Sequence, residues 1–237
     1  MQPVFVDLTE QSCPGPRDAK MRIMVPERLY VFVSSSNPTA VMNVQITGSF
    51  CSPVVAAMGD PQFEREYWEG NADFLPFISN PGMTHGFVSP FVASILQNYA
   101  VEQHAELVRR QQYPTLPSRL TGIFAFESYA DCEAVSARYN WPLKEVRVFK
   151  PVSVLRAVRV NMEIVSLARY AYPRAMLDQV TIESLWRAYW SGSATFGLDL
   201  PSSDALSRQQ VAAGVVWEWI IDGRLDVDPN AVLPAGP

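Results

Sequence analysis

The run VVWEWIIDGRLDV (215–227) sets one carboxylate, Glu218, among valines, tryptophans and isoleucines. Burying an unpaired carboxylate is costly. Glu218 therefore either points at water or has something that justifies its burial. In a strand, side chains alternate faces. Trp217, Trp219 and Ile221 then share one face, and Val216, Glu218 and Ile220 the other. Both faces are apolar, so a central strand is expected, with Glu218 in or beside the core. The plain alternative is a carboxylate at a cleft edge, paired with an arginine.

A second stretch with chemical potential is LPSRLTGIFAFES, 116–128. The hydroxyls of Ser118 and Thr121 can donate to a ligand's oxygens or orient a neighbouring carboxylate, and Arg119 can clamp a phosphate or carboxylate bidentately. The plain alternative here is a solvated strand start with Arg119 in a surface ion pair. Elsewhere the material for chemistry is thin. Two histidines (His85, His104), with no CxxC or HxxxH pair, leave zinc almost nothing to bind. Cys13, Cys51 and Cys132 are odd in number and far apart, which argues against a disulfide framework. No GxGxxG, GxxxxGK[ST] or GxSxG run is present.

A net charge of -5 speaks against gripping nucleic acid by bulk electrostatics, although LVRRQQ (107–112) is locally basic. No apolar run approaches the ~20 residues of a membrane span, and MQPVFVDLTE lacks the basic and apolar regions of a secretory signal. A cytoplasmic protein without a membrane partner is expected.

The elements that must position these residues follow from pattern. RLYVFVSSSNP (28–38) reads as a strand ended by a turn and AVMNVQITG (40–48) as another strand, and PQFEREYWEGN (61–71) as a short helix. Residues 71–89 read as an irregular loop. Ser89 and Pro90 suit the start of a helix whose stripe is Val92, Ile95, Leu96, Tyr99 and Leu107. RLTGIFAF, KEVRVF and VLRAVRV read as strands, and MEIVSLARYAY as a helix. Ser128, with Asp131, caps a helix over YADCEAVSARYN. Thr181 caps IESLWRAYW, whose Ile182, Leu185, Trp186 and Tyr189 share a face. Ser203 opens a helix, DALSRQQVAA, that Gly214 ends. The opening stretch reads as a hairpin turning at Asp222-Gly223. Strands and helices mix without a βαβ rhythm, so the fold class is α+β, one domain over residues 1–237.

Four blocks in order carry a resemblance: LPSRLTGIFAFES, RVNMEIV (159–165), AYWSG (188–192) and VWEWIIDGRLDV (216–227). They resemble those of small bacterial and phage proteins with an ADP-ribosyltransferase-like fold, from residue 114 onward. The resemblance implies a split β-sandwich of two small antiparallel sheets with flanking helices, and a cleft that takes NAD, as substrate, in a bent form. It implies Glu218 as the catalytic glutamate, with Ser118 and Thr121 approximating the Ser-x-Ser element. Arg119 would bind the substrate, and Arg28 or Tyr30 would supply the first-strand contact to the dinucleotide. Phe124, Tyr189 or Trp190 would stack on nicotinamide or adenine, although aromatics on a helix face more often serve the core.

The chemistry gives the carboxylate its purpose. Cleaving the bond to nicotinamide makes an oxocarbenium-like ribose, which an oriented anion stabilises. Three departures narrow the expectation. Val216 stands where arginine-modifying members carry Glu or Gln, neither histidine lies on the first strand, and Arg28 precedes its aromatic. His85 reads as a loop residue and His104 as a surface one. The implied activity is NAD-dependent transfer to a protein or nucleic-acid acceptor, without metal and not arginine-directed. The alternative from another class is a non-catalytic interaction or inhibitor protein on the same scaffold. A hydrolase using Glu218 and a second carboxylate ranks last, because no acid paired with Glu218 is evident nearby in sequence.

Overall fold

The computed structural model describes residues 4–5, 24–75, 89–91, 95, 97–202 and 207–233. In chain order its first elements are strands β1 (Val4–Phe5), β2 (Met24–Val25) and β3 (Leu29–Phe32), helix α1 (Pro38–Thr47) and strand β4 (Ser49–Cys51). Helices α2 (Pro53–Ala57), α3 (Pro61–Glu69) and α4 (Tyr99–Gln112) follow, then β5 (Ile123–Ala125), α5 (Tyr129–Tyr139) and β6 (Val146–Asn161). Helices α6 (Met162–Ala171) and α7 (Gln179–Trp190) precede strands β7 (Gly197–Pro201), β8 (Arg208–Ala212) and β9 (Trp217–Val227). The chain is a mixed helix and strand protein whose sheets are antiparallel.

Strands β6 and β9 form the spine, paired from Phe149↔Val227 to Asn161↔Trp217. The far edge of β9 is divided: β5 takes residues 219–221 and β4 takes 224–226. Beyond β6 lies β3. Phe126, just after β5, then bonds back to Tyr30 of β3 through two N–H···O bonds of 2.9 and 2.7 Å, so β3, β6, β9 and β5 close a ring. Register shifts near Pro151 and Val154 bend β6 enough to serve both neighbours. Five strands thus belong to one sheet, with β1–β2 and β7–β8 as separate two-stranded ribbons.

Two apolar layers hold the sheet. Leu29, Val31, Ile123, Phe149 and Ile221 fill one side with Ala40 of α1. On the other, α4, α6 and α7 pack Val108, Ile164, Leu185 and Trp186 against Val160 and Ile220.

Several expected elements form as read, including the Ser128–Asp131 capping box. Others differ for physical reasons. Residues 38–47 are helix α1, not a strand, because Asn37 caps it (Ala40 N–H to Oδ1, 3.3 Å), Pro38 opens it and Gly48 ends it at φ 63°. These termini outweigh its β-branched content. Helix α4 starts at Tyr99, after Asn98, and Ser89 instead accepts the Phe91 N–H at 3.1 Å. Val92 and Leu96 lie outside the described residues, and Leu107 is exposed rather than part of the buried face.

Asp178, not Thr181, caps α7, accepting the Thr181 N–H at 2.7 Å. Ser203 also lies outside the described residues, while the end of the helix expected there is strand β8, paired with β7. KEVRVF and VLRAVRV are one strand, with Pro151 at a register shift where its missing N–H is tolerated. The hairpin at Asp222-Gly223 does not form: β9 runs unbroken through both. Gly223 is there for closeness, since a Cβ would collide with the Ser153 carbonyl of β6.

Among the described residues, no helix is long and apolar enough to cross a membrane. None of their His, Cys, Asp and Glu side chains form a group of three or more that could hold a metal ion.

Candidate functional site

Alternation along β9 points Glu218, Ile220 and Asp222 at the layer made by α4, α7 and the segment before β5. Glu218 is 6% exposed. Its Oε1 accepts two hydrogen bonds, from Arg119 Nη1 at 2.8 Å and from the Tyr189 hydroxyl at 2.9 Å. Its Oε2 has no hydrogen-bond partner among the described residues, and the side chain keeps 8% of its surface.

Arg119 is the hub. It is buried, and Glu102 of α4 holds its other edge, at 2.7 Å from Nε and 3.2 Å from Nη2. Nη1 also donates to the Tyr189 hydroxyl. The guanidinium lies 4.8 Å from the Phe124 ring centre and 5.3 Å from that of Tyr189. Arg169 of α6, at the outer end, donates to Glu102 Oε1 at 3.1 Å.

Charge states follow from these contacts. Burial alone would raise the Glu102 carboxyl, but Arg119 and Arg169 hold it below its ordinary value. Burial also works against the Arg119 charge, yet Glu102, Tyr189 and Glu218 keep its pKa well above the usual one. The Tyr189 hydroxyl is pushed well up by burial and stays a neutral donor. The network is two arginines, two carboxylates and one tyrosine.

Two further buried groups flank it. Ser118 donates to Glu106 at 2.7 Å, and Glu106 pairs with Arg109, which donates to the Pro114 and Leu116 carbonyls. This fixes the loop that leads into Arg119. Asp222 accepts from Ser52 (3.1 Å), Thr121 (3.3 Å) and Tyr67 (3.1 Å). Arg156 lies 3.8 Å over the Tyr67 ring and donates to the Tyr67 and Pro114 carbonyls. Burial lifts Asp222 to about 6.

Of the residues singled out in the sequence, Glu218, Arg119, Phe124 and Tyr189 come together. Arg119 is not at a solvated strand start: it is 5% exposed, with its partners inside the chain. Ser118 and Thr121, both wholly buried, serve Glu106 and Asp222 rather than facing open space. Arg28 pairs with Asp228 at 3.3 Å with half its side chain exposed, and Tyr30 meets Tyr129 edge-on at 6.2 Å. Their contacts run away from Glu218. Trp190 is a core residue that donates to the Ala105 carbonyl at 2.9 Å. His104 is half-buried against the Tyr172 hydroxyl at 3.1 Å, and His85 lies outside the described residues.

Sequence reasoning missed Glu102, Glu106, Arg109, Arg169 and the burial of Asp222. A signal existed for the first three: they recur at helical spacing beside Val101, Ala105 and Val108, on one face of α4.

A cavity of about 210 Å³ lies elsewhere, between α5, α6 and β8, lined by Arg138, Tyr139, Glu163 and Gly214 among others, and by none of the network residues. No model of a known protein family matches the chain, and no curated protein is significantly similar to it.

Proposed function

We propose that the chain is an NAD-dependent ADP-ribosyltransferase acting on a protein or nucleic-acid acceptor, with Glu218 as its catalytic carboxylate. The four sequence blocks motivate this reading, and one observation carries it. Among the described residues the hydrogen bonds to Glu218 end on Oε1, Oε2 has no partner, and the side chain keeps 8% of its surface. An anion held by one oxygen, with the other oxygen spare, can accept a ribose hydroxyl. In the reaction the bond from ribose C1′ to nicotinamide breaks, and its electron pair leaves with nicotinamide. The acceptor nucleophile then bonds C1′ and gives up its proton. Glu218 stabilises the positive charge that develops on the ribose between these events. Arg119, with its donors engaged inside the chain, serves as a positioning residue for Glu218. Val216, two residues earlier, offers no second carboxylate, which speaks against arginine as the acceptor.

The second reading is a non-catalytic interaction protein on the same scaffold. It is favoured by closure: Ser118, Arg119 and Thr121 are at most 5% exposed.

The test is to incubate the purified protein with NAD, with and without cell extract, and follow nicotinamide release and label transfer. Glu218→Gln is expected to lose turnover by a factor of about 10² or more. Its melting temperature should stay nearly unchanged, because Arg119 keeps the bidentate Glu102. Absence of nicotinamide release by the wild type under both conditions rejects the transferase and leaves the interaction protein.

A further inference from the structure

The innermost charges of the network are Arg119, Glu102 and Glu218, each at most 6% exposed. Two are acidic and one is basic, so this inner group carries one surplus negative charge. Arg169 does not cancel it fully, because its side chain is 35% exposed and its charge is partly screened by water. Where the surplus resides depends on how the Arg119 guanidinium is shared.

A guanidinium edge matches a carboxylate bidentately, and this is the strongest pairing available to it. Glu102 takes that edge, through Nε and Nη2. Glu218 receives a single bond from Nη1. Glu102 is thus the counter-ion of Arg119, and Glu218 is the anion left in surplus. Glu102 itself is wholly buried, so it reaches neither solvent nor a ligand.

We infer that Glu102 is a positioning residue for Glu218: by holding the bidentate edge of Arg119 it leaves Glu218 a single guanidinium bond, with Oε2 free of partners among the described residues. Without Glu102, Arg119 can turn its edge onto Glu218, cover both oxygens and quench the charge that a cationic ribose needs. The inference rests on the transferase reading given above.

The experiment measures kcat and KM for NAD in nicotinamide release, with melting temperature, for wild type, Glu102→Gln and Glu102→Asp. Glu102→Gln should lower kcat by about tenfold or more while KM for NAD moves by less than about twofold. Glu102→Asp keeps the charge and should recover most of the lost kcat. A folded Glu102→Gln protein with wild-type kcat overturns the inference. So does a folded Glu102→Asp protein as impaired as Glu218→Gln, a comparison that still decides should Glu102→Gln fail to fold. An inactive wild type is a different outcome, and it removes the transferase reading itself.

Discussion

Glu218 and Asp222 stand four residues apart on one face of β9, and the chain surrounds them in opposite ways. Glu218 receives a guanidinium and a phenol on one oxygen, and the other oxygen has no partner among the described residues. Asp222 is 0% exposed and has both oxygens engaged, but only by hydroxyls, from Ser52, Thr121 and Tyr67. Ser52 even stands at the N-cap of α2 without its side chain capping the helix, its hydroxyl going to Asp222 instead. The nearby arginines, Arg156 and Arg109, donate to carbonyls rather than to Asp222. Depth of burial therefore does not mark the carboxylate we propose for chemistry. What marks it is a cationic partner and an oxygen without a hydrogen-bond partner among the described residues. Asp222, by contrast, ties α2, α3 and the segment before β5 to the sheet.

The largest test of this contrast is Arg119→Ala. It strands Glu102 and Glu218 without the cation they share and should cost about 3–5 kcal/mol, read from the urea midpoint at unchanged slope. A cost below about 1 kcal/mol would erase the difference between the two carboxylates. A loss of this size would place Arg119 in the fold as well, where the sequence alone suggested a substrate contact or a surface ion pair.

Next in size is the pH dependence of Asp222. Its folded pKa of about 6 lies above the ordinary value of 3.8, so the proton is held more tightly in the folded state. The stabilisation is complete below pH about 4 and is lost as pH rises through about 6. Against Asp222→Asn, which does not titrate there, the wild type should lose on the order of 3 kcal/mol between pH 4 and 7. Parallel urea titrations across that range measure it, and a constant gap between the two proteins breaks the contrast.

The smallest effect belongs to the opposite face of β9. Trp217 is half-buried with Arg159 4.6 Å above its ring, so Trp217→Ala should cost about 1 kcal/mol. The 3–5 kcal/mol of a fully buried aromatic belongs rather to Trp186, which is 0% exposed. A loss of that larger size at Trp217 would shift the weight of the strand to its outer face.

Much of this was legible in the residues. The alternation along 216–221, the burial of Glu218 and an arginine partner for it all follow from pattern and from the cost of a buried charge. The identity of that arginine did not follow, because Arg119 lies 99 residues away. Helix α1 was hidden because its valines and isoleucine speak for a strand while its termini decide for a helix. Asp222-Gly223 has the composition of a turn, and only the neighbouring β6 reveals that the glycine serves close approach. The charged face of α4 was readable in spacing, but counting apolar positions alone turns that helix the wrong way.

The separation of the network's members along the chain has a consequence for how the protein folds. Glu102 and Arg119 are 17 residues apart, but Tyr189 lies 70 beyond Arg119 and Glu218 a further 29. Such long-range pairings carry a large loop-closure cost and slow the search for the native state. Until β9 docks between β5 and β6, the layer that will bury Arg119 lacks both its floor and one of its two carboxylates. Partly collapsed chains then face uncompensated desolvation, which disfavours them relative to both the open and the finished states. The charges around Glu218 thus couple completion of the sheet to completion of the network, since either one without the other leaves a buried charge unpaired.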